Sequence, residues 1–460
     1  MGNICRNKRH TWMFVGLMAS AMPLQAAEPG YEDLLHRVEA LEKQQESMDK
    51  ALDDDHLSEN EPELVTRLKD VELRTYSMQK QARTIAALQA ITTSIGLVTV
   101  GQRASGDSTL EGGGESHLNY RADIAVSLPG GEIGYAKGSL FSQFRLGQGG
   151  GMQGLRDTFT SPNATTFQIS GPPSDSTAML AQAWYQFDIP LGGKDGFHKS
   201  REKLVFNAGK MDPFLFFDQN AVADDEITRF INSGFVHNPL LDAGGDAGMD
   251  NYGFSPGMRL AYRNETAEPE WWGLSVGMFA AGPGAAYNDS FRAPFVITQL
   301  ETGRKFFGGL SGNYRLYHWS NGQATRFRDG VNFEDHSGWG LSADQRIGDA
   351  ITLFGRFGAS TQGHVKFDRA VTLGTEVWGT YWSRSADAVG IALGGLRPSD
   401  DYQQVNPGHG AIEKQLELYY RWRLNPQLAL TPDLQLVRNP AGDETVKTVW
   451  FAGVRAVVTF

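Results

Sequence analysis

The chain has 460 residues, 40% apolar and 21% charged, with a formal charge of −11; the acidic balance argues against a nucleic-acid partner, which would call for a basic stripe. After residue 30 no run of about 20 apolar residues exists, which excludes a polytopic helical membrane protein. Its 54 glycines exceed the ~7% of ordinary chains and its aromatics reach 11%, the composition of a transmembrane β-barrel.

Residues 1–27 read as a secretory signal: Arg6, Lys8 and Arg9 precede the short apolar stretch TWMFVGLMASAM, and Ala26 and Ala27 offer the cleavage site. The apolar run is too short to span a bilayer. Cys5, the only cysteine, lies inside this segment. The mature chain is therefore expected to lack disulfides, zinc–thiolate sites and thiol catalysis.

Residues 28–93 predict an N-terminal α-helical coiled-coil segment, a periplasmic stalk. Glycine and proline become scarce there, and Leu34, Val38, Leu41, Gln45, Met48 and Leu52 follow the 4-3 rhythm of a coiled-coil seam. Pro62 and the surrounding acids interrupt it. A second seam then runs through Leu64, Leu68, Val71, Thr75, Met78, Ala82 and Ile85. Seams this narrow need a partner, which predicts a homo-oligomer such as a trimer; the mixed residues do not decide between dimer and trimer. A helical hairpin hinged at Pro62 is the intramolecular alternative, and contact with peptidoglycan is a further expectation for such a stalk.

From about Ser94 the period falls to two. Leu118, Tyr120, Ala122, Ile124 and Val126 alternate with Asn119, Arg121, Asp123 and Ala125; Leu416, Leu418, Tyr420 and Trp422 alternate with Glu417, Tyr419, Arg421 and Arg423. A soluble sandwich turns such an apolar face inward, whereas an outer-membrane barrel turns it toward lipid and encloses the charges. Length, signal and chain end favour the barrel. Trp450, Val454, Ala456, Val458 and the terminal Phe460 share one face of the last strand. A terminal aromatic on such a strand resembles the signal read by the barrel assembly machinery. The fold class is thus an all-β transmembrane barrel of about 16 antiparallel strands over 94–460, roughly 23 residues per strand plus loop.

With the stalk in the periplasm, tight turns are expected on that side at LPGGE (128–132), RIGDA (346–350) and LNPQ (424–427). Longer outward connections are expected at 103–117, 147–177, 211–255, 318–337 and 396–413. The connection Met211–Ser255 differs from a solvated loop. Phe214, Phe216, Phe217, Ile227, Phe230, Ile231 and Phe235 need burial, and Asp218, Asn220 and Asn232 lie among them. The barrel interior is the nearest place for these groups, so the segment is expected to fold inward as a constriction loop.

Alternation assigns Arg121, Asp123, Lys137, Arg145, Trp184, Arg315, Glu376, Trp378, Glu417, Tyr419, Arg421, Arg423, Asp433 and Arg455 to the lumen, as pore-lining and substrate-contacting residues. Both charge signs interleaved with aromatics suit a neutral polyhydroxylated solute, because rings stack on sugar C–H faces while Arg and carboxylates take hydroxyls. A phosphate-selective pore calls instead for a cationic ladder. Charges that merely pair with one another to keep the lumen wet are the plainer alternative. No GxSxG or HExxH motif occurs, and no catalytic residue or cofactor is expected. His318 and Trp319 are expected at an aromatic girdle. The run DAGGDAGMDN, with Asp242, Asp246 and Asp250, matches no EF-hand, and no metal is assigned to it.

Three stretches resemble the carbohydrate-selective, OprB-like porins of Gram-negative outer membranes. They are GKMDPFLFFDQNAVADDEITRFINSGFVHNP (209–239), similar to that family's FDxN…FxN segment; ELYYRWRLNPQLALTPDLQLVRNP (417–440), similar to its closing hairpin; and the final strand FAGVRAVVTF. The resemblance implies a 16-stranded barrel passing glucose and other sugars by facilitated diffusion, with inward loops and lumenal Arg and Glu at the constriction. The expected function is passive, carbohydrate-selective diffusion of small sugars through a barrel embedded in outer-membrane lipid. A general or anion-preferring porin, or a stalked barrel tethering membrane to cell wall, are the alternatives.

Overall fold

The computed structural model describes residues 35–36, 39–40, 42–43, 45–46, 91–152, 154–167, 175–192, 196–197, 200–328 and 330–460. Sixteen strands follow one another. They are β1 (Thr92–Ala104), β2 (Glu115–Ile133), β3 (Ala136–Gln148), β4 (Thr177–Pro190), β5 (Glu202–Met211), β6 (Ser255–Asn264), β7 (Trp271–Phe279) and β8 (Phe295–Phe306). Then come β9 (Leu310–Thr325), β10 (Phe333–Arg346), β11 (Ile351–Gln362), β12 (Phe367–Gly379), β13 (Arg384–Pro398), β14 (Glu413–Arg423), β15 (Leu428–Arg438) and β16 (Val449–Thr459). Each strand lies beside its sequence neighbours and β1 pairs antiparallel with β16, so the sheet closes on itself.

Closure removes the unpaired edges that a membrane cannot hydrate. An even strand count brings both ends of the barrel to one rim, where the Ile95 N–H donates to the Phe460 carbonyl at 3.1 Å and the Phe460 N–H returns to Ile95 at 2.8 Å. Connections on this terminal rim are mostly short: 134–135, 265–270, 307–309, 347–350, 380–383 and 424–427, with 191–201 the exception. The opposite rim carries 105–114, 149–176, 212–254, 280–294, 326–332, 363–366, 399–412 and 439–448.

The two faces of the wall follow the period-two reading. Leu118 is 70% exposed, whereas Asn119 and Arg121 beside it are 1% and 3% exposed. The exposed side carries Leu274, Leu300, Leu316, Leu373 and Leu393, and the buried side carries Gln299, Arg315, Arg356 and Glu417. Apolar groups outside and charges inside are stable only when the outer solvent is lipid.

Two expected connections move. Strand β2 continues through 128–132 to Ile133, so the turn falls at 134–135; the Tyr185 hydroxyl donates to the Gly130 carbonyl at 3.0 Å and holds this stretch extended. The connection expected at 318–337 contracts to 326–332, because β9 runs on to Thr325. Trp319 then faces inward, fully buried, and its Nε1–H donates to Asp246 at 2.9 Å instead of joining a girdle. His318 takes the outward face against Trp339, ring centroids 4.6 Å apart.

The described residues between 35 and 46 are helical, and His36 Nδ1 lies 3.7 Å from the Glu39 carboxylate. Of the coiled-coil seams only Gln45 is described; the other seam positions and the signal segment 1–27 lie outside the described residues.

Candidate functional site

The segment 212–254 that leaves β5 folds into the barrel, and its local shape is written in short polar caps. The Asp212 carboxylate accepts the Phe214 N–H at 2.9 Å to start the turn Pro213–Leu215. Asn220 caps the Val222 N–H, Asp225 takes those of Ile227 and Thr228, and Asn232 caps the Gly234 N–H to start the short helix Ser233–Val236. Each cap satisfies backbone donors that would otherwise be buried without a partner.

Between the caps, the aromatic residues find the wall. Phe214, Phe216, Phe217, Leu240 and Leu241 cluster with Trp184, Phe279, Phe295, Tyr317 and Trp319. Phe230 and Phe235 pack on Phe354 and Tyr419, while Ile227 and Ile231 reach Val98, Val100 and Val457. Glycines in the wall make the sockets. A Cβ on Gly277 would lie 2.7 Å from the Phe217 ring and one on Gly358 2.5 Å from Asn238 Oδ1, so a side chain at either position would push the loop residue off the wall.

Polar bonds then fasten the loop around most of the circumference. Asp218, fully buried and in the left-handed region at φ 56°, accepts from Arg356 Nε at 3.0 Å, the Tyr317 hydroxyl at 2.7 Å and the Asn238 N–H at 2.6 Å. Its own N–H donates to Gln299 at 2.9 Å. Asn220 donates to Ser342 at 3.2 Å, and Asn232 to Gln435 at 3.0 Å. Glu417 accepts the N–H groups of Ile231 and Asn232 at 2.6 and 3.0 Å. Arg455 donates to the Glu226 carbonyl at 2.7 Å and Arg421 to the Thr228 carbonyl at 3.2 Å. Arg229 meets Glu376 at 3.4 Å.

On the β2–β7 side the loop leaves space. An outer cavity of about 680 Å³ is lined by Arg121, Asp123, Gln143, Arg145, Tyr252 and Phe254 among others. Here Arg145 meets Asp123 at 2.7 Å, and Arg121 meets Asp123 at 3.0 Å and Glu226 at 2.6 Å. An inner cavity of about 470 Å³ is lined by Trp184, Arg259, Arg263, Trp271, Glu301 and Arg315 among others, and reaches the terminal-rim connection 265–270. The Arg259 guanidinium lies 5.0 Å from the centre of the Phe216 ring and that of Arg263 4.1 Å from the Trp271 ring. Leu215, at the tip of the first turn, lines both cavities.

The residues assigned to the lumen from alternation fall into three groups. Arg121, Asp123 and Arg145 line the outer cavity, and Trp184 and Arg315 the inner one. Glu376, Glu417, Tyr419, Arg421, Asp433 and Arg455 are buried on the inward face but belong to the wall that holds the loop, away from both cavities; Trp378 lies beneath Arg421 at 5.0 Å. Lys137 and Arg423 are at the terminal rim: Lys137 pairs with Glu132 at 3.4 Å in solvent, and the Arg423 N–H donates to Asp387 at 3.0 Å. Alternation reports which face a residue occupies, but neither its height nor what covers it. Arg259, Arg263 and Glu301, not among the expected lining residues, obey the same alternation in β6 and β8. Gln182 was legible in the same way. Tyr252, Phe254 and His237 reach the cavity from the loop, where no period marks them.

The acids of the run 242–250 are engaged by protein groups. His336 Nδ1 meets Asp246 at 2.7 Å, and Asp250 accepts the N–H groups of Tyr252 and Phe254. Asp242 lies 2.9 Å from His237, whose ring stacks on Phe214 at 3.9 Å. Burial opposes the His237 charge, but the bond to Asp242 and the nearby Asp224 and Asp212 carboxylates outweigh it and lift the ring to about 9 from the ordinary 6.5. A raised value means that the stabilising contacts are complete below pH 6.5 and disappear as pH rises through about 9. The reversal potential in a salt gradient should therefore move toward cation preference with a midpoint near pH 9, and His237→Gln should abolish that step. A flat profile in the parent protein would contradict the assignment.

A closed barrel with a lipid-facing apolar exterior, a charged interior and loop segments folded into it is the architecture of an outer-membrane porin. The model of the carbohydrate-selective porin, OprB family, matches residues 64–460, and this chain belongs to that family. Among curated relatives, Porin B of Pseudomonas aeruginosa is 24% identical over 189 residues, 33% of this chain and 42% of that protein. Porin AaxA of Chlamydia felis is 28% identical over 127 residues, 26% of this chain and 27% of that protein. The match thus spans less than half the length of either relative. The high-pH structure of Pseudomonas putida OprB superposes with a TM-score of 0.64 at 17% identity, covering 82% of this chain and 96% of that one, and shows the same fold.

Proposed function

We propose that the protein passes small sugars across the outer membrane by passive diffusion, with the chain termini on the periplasmic side and the long-loop rim outside. The observation that carries this reading is the pair of cavities on either side of the inward loop, both lined by Leu215. A solute entering from outside meets the Arg121–Asp123–Arg145 group, passes Leu215, and leaves along Trp184, Phe216 and the arginines of β6. Aromatic faces beside paired charges of both signs suit a neutral polyol better than an ion, because hydroxyls hydrogen-bond to either sign while sugar C–H faces stack. Family membership supports the same solute class. Passage of this kind needs no catalytic group and no cofactor. The exposed Phe460 ring fits recognition by the assembly machinery.

The test is liposome swelling with purified protein across sugars, amino acids and phosphate esters of matched size. Sugars should enter faster than amino acids, and replacing Trp271→Ala, whose part-exposed ring lines the inner cavity, should reduce that preference by about two- to ten-fold, the worth of one aromatic contact. Rates following size alone would reject sugar selectivity. One observation favours the anion-preferring alternative: among the described residues Arg259 has no carboxylate in ion-pair contact and bonds only to Asn207 at 3.1 Å and Ser275 at 3.0 Å. Phosphate esters entering ahead of sugars would establish that reading.

A further inference from the structure

Among the described residues of the neighbouring strands β12–β15, three cations stand on the outward face of the wall without a carboxylate to meet. Arg369 on β12, Lys414 on β14 and Arg438 on β15 are exposed, each in the same register as the lipid-facing residues of its strand. Val371 and Leu373 continue the face from Arg369, Leu416 and Leu418 from Lys414, and Leu434 and Leu436 lead up to Arg438. All three lie at the long-loop ends of their strands, where the apolar band gives way to the rim.

Their arrangement is specific. Lys414 is directly opposite Arg438 across the β14–β15 pair. On its other side Lys414 faces Gly395 of β13, which in turn faces Val371. A Cβ on Gly395 would meet only the Ile412 side chain, at 3.5 Å, so a shallow gap separates Lys414 from β12. Arg397, opposite Arg369, is already neutralised by Asp368, to which its Nε donates at 2.8 Å. Among the described residues Arg369, Lys414 and Arg438 have no ion pair or side-chain hydrogen bond of this kind.

Like charges directly opposite one another on one face of a sheet repel, and lipid beside them offers little screening. The arrangement is stable when an anion lies between them. With the long-loop rim outward, as taken above, that level of the wall is the headgroup region of the outer leaflet. We propose that the outer ends of β12–β15 bind a phosphorylated glycolipid of that leaflet. Lys414 and Arg438 hold one phosphate between them, and Arg369 closes the far side of the gap over Gly395. The acyl chains lie along Val371, Leu393, Leu418 and Leu434. Donors converging from three strands favour a phosphate with several free oxygens over a zwitterionic headgroup.

The experiment is native mass spectrometry of the full chain in detergent, titrated with bisphosphorylated lipid A. Dephosphorylated lipid A and phosphatidylglycerol serve as comparison lipids and inorganic phosphate as competitor. Replacing Arg369→Gln, Lys414→Gln and Arg438→Gln together should weaken lipid A binding by about 100-fold, about five-fold per surface charge. Swelling rates should not change, since the three residues face away from the lumen. If the triple variant fails to fold, Lys414→Glu decides: it forms an opposite-charge pair with Arg438, keeps the strand pairing and should still lose lipid A. Undiminished binding in the variants, equal retention of dephosphorylated lipid A or of phosphatidylglycerol, or displacement by inorganic phosphate would each overturn the proposal.

Discussion

Replacing Asp218 by Ala is expected to convert a steady channel into one that flickers to a larger conductance. Asp218 is the point where the loop meets the far wall: one carboxylate receives Arg356, Tyr317 and the Asn238 N–H, and all three donors are buried. Removing one partner of a buried charge pair costs about 3–5 kcal/mol, and Asp224, 3.8 Å from the Arg356 guanidinium, holds the cost near the lower end. The apolar clusters and the Glu417 and Arg455 anchors remain, so the barrel should still assemble. About 3 kcal/mol taken from docking alone changes the docked-to-undocked ratio about 100-fold. Single-channel recording should therefore show frequent high-conductance events in Asp218→Ala, fewer in Asp218→Asn, and almost none in the parent protein. Identical traces in all three would mean that Asp218 does not hold the loop.

The second large effect is expected at Leu215. This side chain is half-buried, packs on the Trp184–Phe279 cluster and faces the space on either side of the loop. Leu215→Trp places a ring across the passage, and we expect conductance and sugar swelling to fall together by about ten-fold, as a hydrophobic constriction dewets when it narrows. Leu215→Ala should act in the opposite direction and admit larger sugars. The barrel wall is untouched by either change, so folding should be preserved and heat-modifiable migration should match the parent. If the Trp variant conducts normally, the two cavities communicate elsewhere, and the route past β3–β6 is wrong.

Much of this architecture is legible in the amino-acid sequence. The alternation around Arg121 and Asp123, and again around Glu417 to Arg423, assigned faces that the wall follows residue by residue. It could do so because a strand projects successive side chains to opposite sides whatever its neighbours are. The loop announced itself through apolar residues that no solvated loop would carry: Phe217, Phe230 and Phe235 are all at most 1% exposed. The connection 326–332 was misplaced for an equally local reason, since a polar stretch such as SNGQAT extends as a strand above the membrane as readily as it forms a loop.

What the amino-acid sequence determined alone was therefore the set of properties that depend on near neighbours: the period, the lipid-facing side, the strand number and the odd composition of one loop. The tertiary structure decided which inward charges are left facing open space. Glu417 and Arg121 look alike in the pattern, yet Glu417 closes on the backbone of Ile231 and Asn232 while Arg121 borders a cavity. That division rests on contacts such as Asp218 with Arg356, 138 residues apart, and Phe159 with Glu413, 254 apart. Such pairings follow from how the sheet closes and which wall the loop meets, and alternation along a strand does not encode either.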